Sequence, residues 1–308
     1  MSSRVRTWIQ AACCAVVMAV AVPACASEEG HVLVLGRISD DPSAHYAQLR
    51  PLLDYVVPRM AEVGITGGRI LMARDARQMA SYLRRNRVDW VTETAATAVQ
   101  LEQRAAARPI LLTERSGVSR YHSMFFVRKD SPIQSLQDLA GHSLALQETA
   151  STSAYTVPLV AMLNAGLSPE ILLGPSDEPS DDRVGYVFAR SELNIASWVH
   201  KGLADAGAVS NLDWNDPQRF PVAFRRDFRV IHETKPYPRA LELVSEGMEP
   251  AVRARLREVL LQAADDPQAQ DALRQFFGTS RFLPLDAETE SALDFLRAGS
   301  VRIRAEVE

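Results

Sequence analysis

The sequence predicts an α/β protein of two lobes, each a mostly parallel sheet flanked by helices, joined by a two-strand hinge. Three observations carry this. From Val32 to Thr113, short apolar runs alternate with amphipathic stretches, a βαβα order that predicts parallel strands with helices on both faces. The strand pattern restarts near Tyr121 and resolves near Glu233, as an inserted second sheet would. Beyond Pro250 the chain turns helical. The first lobe is therefore expected to be discontinuous, residues 30–119 and 233–308, with 120–232 inserted as the second. Two crossings make a hinge, and the cleft between lobes is where a ligand belongs.

Each element has a local reason. Val32 to Leu35 is a buried-strand run, and Ala44 to Val63 carries Leu49, Leu52, Leu53, Val56, Val57 and Met60 at helical spacing. Gly64 and Gly67-Gly68 are expected to end that helix, and Ile70 to Met72 to form the next strand. Asp75 caps a helix to about Arg85; Val88 to Val91 is a strand, Ala95 to Ala105 a helix and Ile110 to Thr113 a strand. In the inserted block, Ser123 to Val127 is strand-like and Asp130-Ser131-Pro132 is a turn. Ser135 to Leu139 is a short helix stopped by Gly141, and Leu144 to Leu146 is a strand. Near the end, Pro250 to Ala263, Gln268 to Phe277 and Asp286 to Arg297 read as helices.

Ser151-Thr152-Ser153 then opens a helix at Ala154-Tyr155. Hydroxyls and free backbone N–H groups converge there, at the positive end of the helix dipole, an arrangement suited to an anion. A single capping hydroxyl is the bland reading of the same residues.

The run of Tyr121, Lys129 to Ile133, Leu136 to Gly141, then Ser151-Thr152-Ser153 with Pro158, resembles the PhnD-like periplasmic receptors of phosphate, phosphite and phosphonate ABC importers. The likeness continues through Trp198 to Ala208, Val230 to Pro238 and Leu273 to Phe282, most of the chain after residue 30. The resemblance implies the type 2 periplasmic-binding-protein fold. It also implies ligand roles for Tyr121 at the hinge, for Asp205 in the second lobe, for an aromatic near Tyr46, and for the position of Glu192, where many relatives hold a His. At Thr92-Glu93-Thr94 the chain departs from the family's Gly-rich stretch with its ligand-facing Tyr.

Residues and rules give the same candidates a second reading. Open α/β sheets bind ligands beyond the carboxyl ends of their strands, which selects the segments after Leu35, Val91 and Leu146. Arg37 offers a planar fork for an oxyanion, or a partner for Asp40 or Asp41. Thr92 and Thr94 offer hydroxyls at a helix N-terminus, with Glu93 a capping acid or a ligand contact. Tyr46 is a cleft aromatic or simple packing. Ser191-Glu192 is a helix cap with a first-turn acid, or a ligand contact. Asp205 is a salt-bridge partner or a ligand contact. His122 is expected to be structural.

The ends and the composition limit the rest. Arg4 and Arg6, the apolar run Ile9 to Val22 and Ala24-Cys25-Ala26 form an export signal over residues 1–26, with a mature start at Ser27. The rival is a lipoprotein signal with Cys25 acylated. All three cysteines lie in this segment, so a chain starting at Ser27 has no disulfide, thiolate or cysteine-metal chemistry. Losing 26 of 308 residues leaves 282, enough for two lobes, and losing two arginines takes the formal charge from −4 to −6. No basic stripe with interleaved aromatics points to nucleic acid. The six histidines, at 31, 45, 122, 142, 200 and 232, show no metal-ligand spacing. GxSxG, Walker A and GxGxxG are absent, so no cofactor, metal or catalysis is expected.

The combined expectation is an exported, non-enzymatic, monomeric solute-binding protein that closes on a small oxyanion of the phosphonate, phosphite or phosphate class. It would hand that ligand to an ABC permease. A membrane sensor, a histidine kinase or a cyclase, is the alternative partner, and an enzyme on the same fold is the third reading.

Overall fold

A computed structural model describes residues 31–307; the expected signal over 1–26, with Cys25, lies outside the described residues. The first sheet holds β1 (His31–Ile38), β2 (Ile65–Ala73), β3 (Trp90–Glu93), β4 (Arg108–Arg115), β13 (Leu241–Val244) and β14 (Thr279–Leu283), in the order β14-β4-β13-β3-β1-β2. The second holds β6 (Ser123–Arg128), β7 (Ser143–Leu146), β8 (Ser168–Ile171), β9 (Arg183–Phe188), β10 (Ala206–Ser210) and β11 (Phe228–Glu233), in the order β11-β6-β10-β7-β9-β8. Most strands in each sheet run in one direction; β13 and β14 oppose the first sheet and β6 the second. Between the sheets, β5 (Arg120–Tyr121) pairs antiparallel with β12 (Tyr237–Pro238), a two-strand ribbon at the two chain crossings.

The helices are α1 (Pro42–Val56), α2 (Ala76–Arg84), α3 (Ala95–Ala105), α4 (Val157–Asn164), α5 (Glu192–His200), α6 (Asn211–Asn215), α7 (Val222–Arg225), α8 (Pro250–Gln262), α9 (Gln270–Gln275) and α10 (Ala287–Glu306). Successive residues of β1 point to opposite faces of the sheet. Leu33 and Leu35 pack with Trp90 under α1, α8 and α9, while Val34 packs with Val91 under α2, α3 and α10. The second sheet does the same with Phe125 and Val127 on one face and Phe126 on the other.

Several boundaries differ from expectation. The helix after Ala44 stops at Val56 and continues as a 3-10 turn to Val63, where Gly64 at φ 80° closes it. Gly67 and Gly68 do not end the helix; they lie inside β2. A Cβ on Gly68 would sit 2.7 Å from Val57 and 2.8 Å from Leu53, so the glycine lets α1 lie flat on the strand. Only Gln137–Leu139 of the expected 135–139 helix forms, as a 3-10 turn. The last helix runs past Arg297 to Glu306 and crosses between lobes. Its Leu293 and Leu296 join the first lobe's core and Ile303 the second's. Gly299 permits this, since a Cβ there would meet Val160 at 2.3 Å.

Candidate functional site

The carboxyl ends of β1, β3 and β4 and the starts of the opposed β13 and β14 lie along one edge of the first sheet. That edge gathers Arg37, Glu93, Arg115, Arg239 and Phe277. Arg115 is 7% exposed, and its Nη2 reaches only Thr92 Oγ, at 3.4 Å. Among the described residues its Nε has no hydrogen-bond partner. Burial first, then the like charges of Arg37 and Arg239, push its guanidinium down to about 9, against the pull of Glu242 and Glu93. Arg37 donates to the Thr92 carbonyl at 2.8 Å and pairs with Glu93 at 3.3 Å, and its Nε likewise has no partner among the described residues. The Phe277 ring lies against both guanidinia, 4.9 Å from Arg37 and 4.6 Å from Arg115. Phe277 takes φ 55°, a strained value for a bulky residue, in the bend between α9 and β14.

Beneath the arginines lies Glu242, fully buried. It accepts hydrogen bonds from Trp90 Nε1 at 2.6 Å, Thr113 Oγ at 2.7 Å and Thr92 Oγ at 2.8 Å. Burial holds its carboxyl above the ordinary range despite these donors. Beside the cluster, His45 Nδ1 lies 2.6 Å from Ser39 Oγ and its ring 5.6 Å from Phe277. Burial and then Arg37 lower the pKa of His45.

The second lobe meets this edge through the loop after β7. Ser151 is the cap, its side chain accepting from Ala154 N–H at 3.1 Å. Thr152 is buried and reaches across the cleft, its Oγ accepting from Ala96 N–H in the first turn of α3 at 3.1 Å. The segment Thr152–Thr156 winds as a π turn before α4, with Ala154 outside helical dihedrals. Ser153 accepts at its carbonyl from Ser123 Oγ at 2.7 Å, and its side chain bonds the Tyr121 hydroxyl. Tyr121 is buried in the ribbon, edge-on to Tyr237 at 4.6 Å, with Arg239 5.0 Å over its ring. It therefore touches both the arginine cluster and the serine–threonine loop.

Thr92 is consumed by Glu242, and Thr94 sits at the cap position of α3, 3.4 Å from Thr97 Oγ, without capping the helix. Glu93 accepts from Ile38 N–H and pairs with Arg37, so it braces the arginine; neither Asp40 nor Asp41 does. Tyr46 is 46% exposed and bonds Arg50 along α1; its neighbour His45 is the ring that faces inward. Glu192 lies at the N-terminus of α5 beyond the carboxyl end of β9, 3.6 Å from Arg219. Burial, then Asp213, raise its pKa.

Asp205 is not brought to the cleft. It precedes β10, which pairs in parallel with β7, so it sits at the opposite end of the sheet from Thr152, about 13 Å of strand away. There its carboxylate accepts from Ser143 N–H and Oγ, both at 2.9 Å. Sequence reasoning missed Arg115, Arg239 and Glu242. Their signal, a charge at a strand end, becomes readable only once β4 and β13 are known to bring those ends to one edge.

Two α/β lobes joined by a two-strand ribbon, with a polar cleft at their facing strand ends, define a type 2 periplasmic binding protein. The chain belongs to the family described as ABC transporter, phosphonate, periplasmic substrate-binding protein, which it matches over residues 36–289. It is similar to XAC2383 from Xanthomonas citri, solved bound to chloride ion, at 56% identity over 89% of this chain and 99% of that one, with a TM-score of 0.84. XAC2383 bound to ATP matches at 55% identity over 90% and 99%, with a TM-score of 0.84. PhnD1 from Prochlorococcus marinus in complex with methylphosphonate matches at 15% identity over 88% and 99%, with a TM-score of 0.62, a likeness of fold.

Proposed function

We propose that this chain is an exported receptor that captures a phosphate-bearing anion in the interlobe cleft and delivers it to an ABC permease. The observation that carries this is Arg115, a buried guanidinium whose Nε has no partner among the described residues, set beside Arg37 and Arg239 at the cleft edge. A buried charge without a full set of partners is costly, and an oxyanion supplies the missing ones through the planar fork of the guanidinium. The family and the ATP-bound relative support a phosphorus ligand. Arg37, Arg115 and Arg239 hold the anion from the first lobe, and Thr152 and Ser153 close on it from the second. Charge-assisted hydrogen bonds are worth roughly 1.5–3 kcal/mol each. Three or four, less the cost of ordering and closure, fit a Kd near about 1 μM.

Lobes at 30–119 with 233–308 and at 120–232 close about the β5–β12 ribbon, and residues 1–26 direct export, with cleavage before Ser27 or acylation of Cys25 as the two routes. The receptor acts as a monomer and releases its ligand unchanged. The test is titration calorimetry with phosphate, methylphosphonate and ATP, beside small-angle scattering of the same mixtures. Heat of binding with a contraction on ligand is expected. Absence of binding to all three sinks the assignment, and binding without contraction sinks the closure.

A further inference from the structure

The loop that carries Thr152 and Ser153 is wound as a π turn, which holds one residue more than an α turn. The Val157 N–H donates to the carbonyl of Thr152, five residues back, and the Thr156 N–H donates to that of Ser151. In an α turn Val157 would serve the Ser153 carbonyl instead. In the π register the donor to Ser153 would be residue 158, and residue 158 is proline, which has no N–H. The winding therefore takes from the Ser153 carbonyl both of its helical donors. Ser153 is buried, and a buried carbonyl without a donor is costly.

The donor comes from outside the helix. Ser123, the first residue of β6, is fully buried. Its Oγ lies 2.7 Å from the Ser153 carbonyl oxygen and 2.8 Å from the Tyr237 hydroxyl. A carbonyl can only accept, so the one hydroxyl proton of Ser123 goes to Ser153, and Tyr237 donates to Ser123. The three groups form a relay with a fixed direction, from Tyr237 through Ser123 to Ser153. It starts in the ribbon, where Tyr237 of β12 stands opposite Tyr121 of β5. The backbone of Ser123 is tied to the return crossing as well. Its N–H donates to Thr234 Oγ and its carbonyl accepts from the Thr234 N–H, both at 3.0 Å. Tyr121 bonds the Ser153 side chain. The two ribbon tyrosines thus converge on Ser153, one directly and one through Ser123.

We infer that Ser123 is the positioning residue of the anion loop, with Tyr237 acting through it: the relay holds the π register, and the register sets where Thr152 stands in the cleft. Without the Ser123 hydroxyl, the Val157 N–H can move to the Ser153 carbonyl. The turn then tightens by one residue, and Thr152 loses its reach to the Ala96 N–H. The inference rests on the anion reading of this loop, but the register can be read without any ligand.

The test compares Ser123→Ala, Tyr237→Phe, the two together, and Ser123→Ala with Pro158→Ala. Crystal structures without ligand read the register, and calorimetry with phosphate, methylphosphonate and ATP reads affinity. Ser123→Ala should move the Val157 N–H from Thr152 to Ser153 and weaken anion binding at least about tenfold, within the range for a stranded buried polar group. Tyr237→Phe keeps the ring against Tyr121 and the donor at Ser123, so it should retain the register and cost no more than about threefold. Added to Ser123→Ala it should cost no further affinity, because Tyr237 acts only through Ser123. It should also raise the melting temperature of Ser123→Ala, because it removes a hydroxyl left without its acceptor. Pro158→Ala supplies the missing N–H. Ser123→Ala/Pro158→Ala should therefore fold, keep the π register and bind within about threefold of the parent, a rescue that a general loss of packing does not give. A π register intact in Ser123→Ala, affinity of that variant within about twofold of the parent, or no recovery on adding Pro158→Ala overturns the relay. If none of the three anions binds the parent, the proposed function fails, and the ligand-free register still decides this inference.

Discussion

Replacing Arg115 with methionine should make the ligand-free protein more stable while weakening its anion binding. Burial, then the like charges of Arg37 and Arg239, push this guanidinium well below its ordinary value, to about 9. At about 1.36 kcal/mol per pH unit, a shift of this size means a penalty on the order of several kcal/mol for keeping it charged in the folded protein. Replacing a whole buried ion pair by apolar residues typically returns about 1–4 kcal/mol, and the single swap approaches that only because Arg115 makes no ion pair with Glu242, which can take up a proton. Methionine keeps the packing against Phe277 but gives up a cation–π contact of about 0.5–2 kcal/mol. Glu242 keeps its Trp90, Thr92 and Thr113 donors, and losing a nearby positive charge favours its protonated form. The expected net gain is about 1–3 kcal/mol, a rise in Tm of about 2–4 °C for each. The sign with pH is distinctive. For a base whose folded pKa is lowered, the penalty is complete below about 9 and fades as pH rises from there toward the ordinary guanidinium value. The stability gap between variant and parent should therefore narrow above pH 9. Affinity for phosphate should fall by roughly 1.5–3 kcal/mol, one lost charge-assisted contact. Denaturant melts across pH and calorimetry read both. A variant that melts below the parent and binds as tightly would make Arg115 the counter-ion of Glu242 and refute the anion-site argument.

Thr152→Ala should weaken anion binding by about 1–3 kcal/mol, because it strands the Ala96 amide in the closed cleft. Ser151→Ala should instead cost about 1 kcal/mol of stability with affinity intact, since it loses only a cap; calorimetry beside melts separates the two, and the reverse pattern would reassign the loop. Glu192→Gln should stabilise the protein at neutral pH, because burial and Asp213 raise this carboxyl and so penalise its charged form. That gain should vanish as pH falls below the ordinary 4.5, where both states are protonated; melts at neutral and acid pH check it, and a pH-independent gain would exclude the charge as its cause. Asp205→Ala should lower stability by about 1–3 kcal/mol through the loss of its bonds to Ser143, without changing affinity; a loss of affinity alone would return Asp205 to the ligand site.

The fold was legible because its signals are local and periodic. The helix over 95–105 and the strand at 144–146 appear almost as the pattern sets them, and the capping roles of Asp75 and Ser151 follow from residue type alone. Gly67-Gly68 misled for a tertiary reason: the pair reads as a turn, yet the strand needs glycine to let α1 approach. Tyr46 misled by a single residue of helical phase. Asp205 misled because a strand start and a strand end look alike in sequence, and only the parallel pairing of β7 and β10 tells which edge of the sheet it joins.

The arginine cluster was illegible for a deeper reason, and that reason bears on what the cluster is for. Arg37, Arg115 and Arg239 come from three segments separated by 78 and 124 residues, brought to one edge by strands of opposed direction. No local preference of the chain favours this. Like charges repel across the cluster, Arg115 carries a desolvation cost, and Phe277 adopts a strained backbone to stack against two of the guanidinia. Strain and unpaired buried charge persist where the surrounding structure over-determines them. Here that support is visible: Glu93 braces Arg37, and the fully satisfied Glu242 lies beneath. Were the cluster only structural, a better-packed apolar edge would serve the fold more cheaply. An anion seated between Arg115 and the loop at Thr152 would reverse the desolvation cost. It would also tie the lobes where Tyr121 already touches both Arg239 and Ser153.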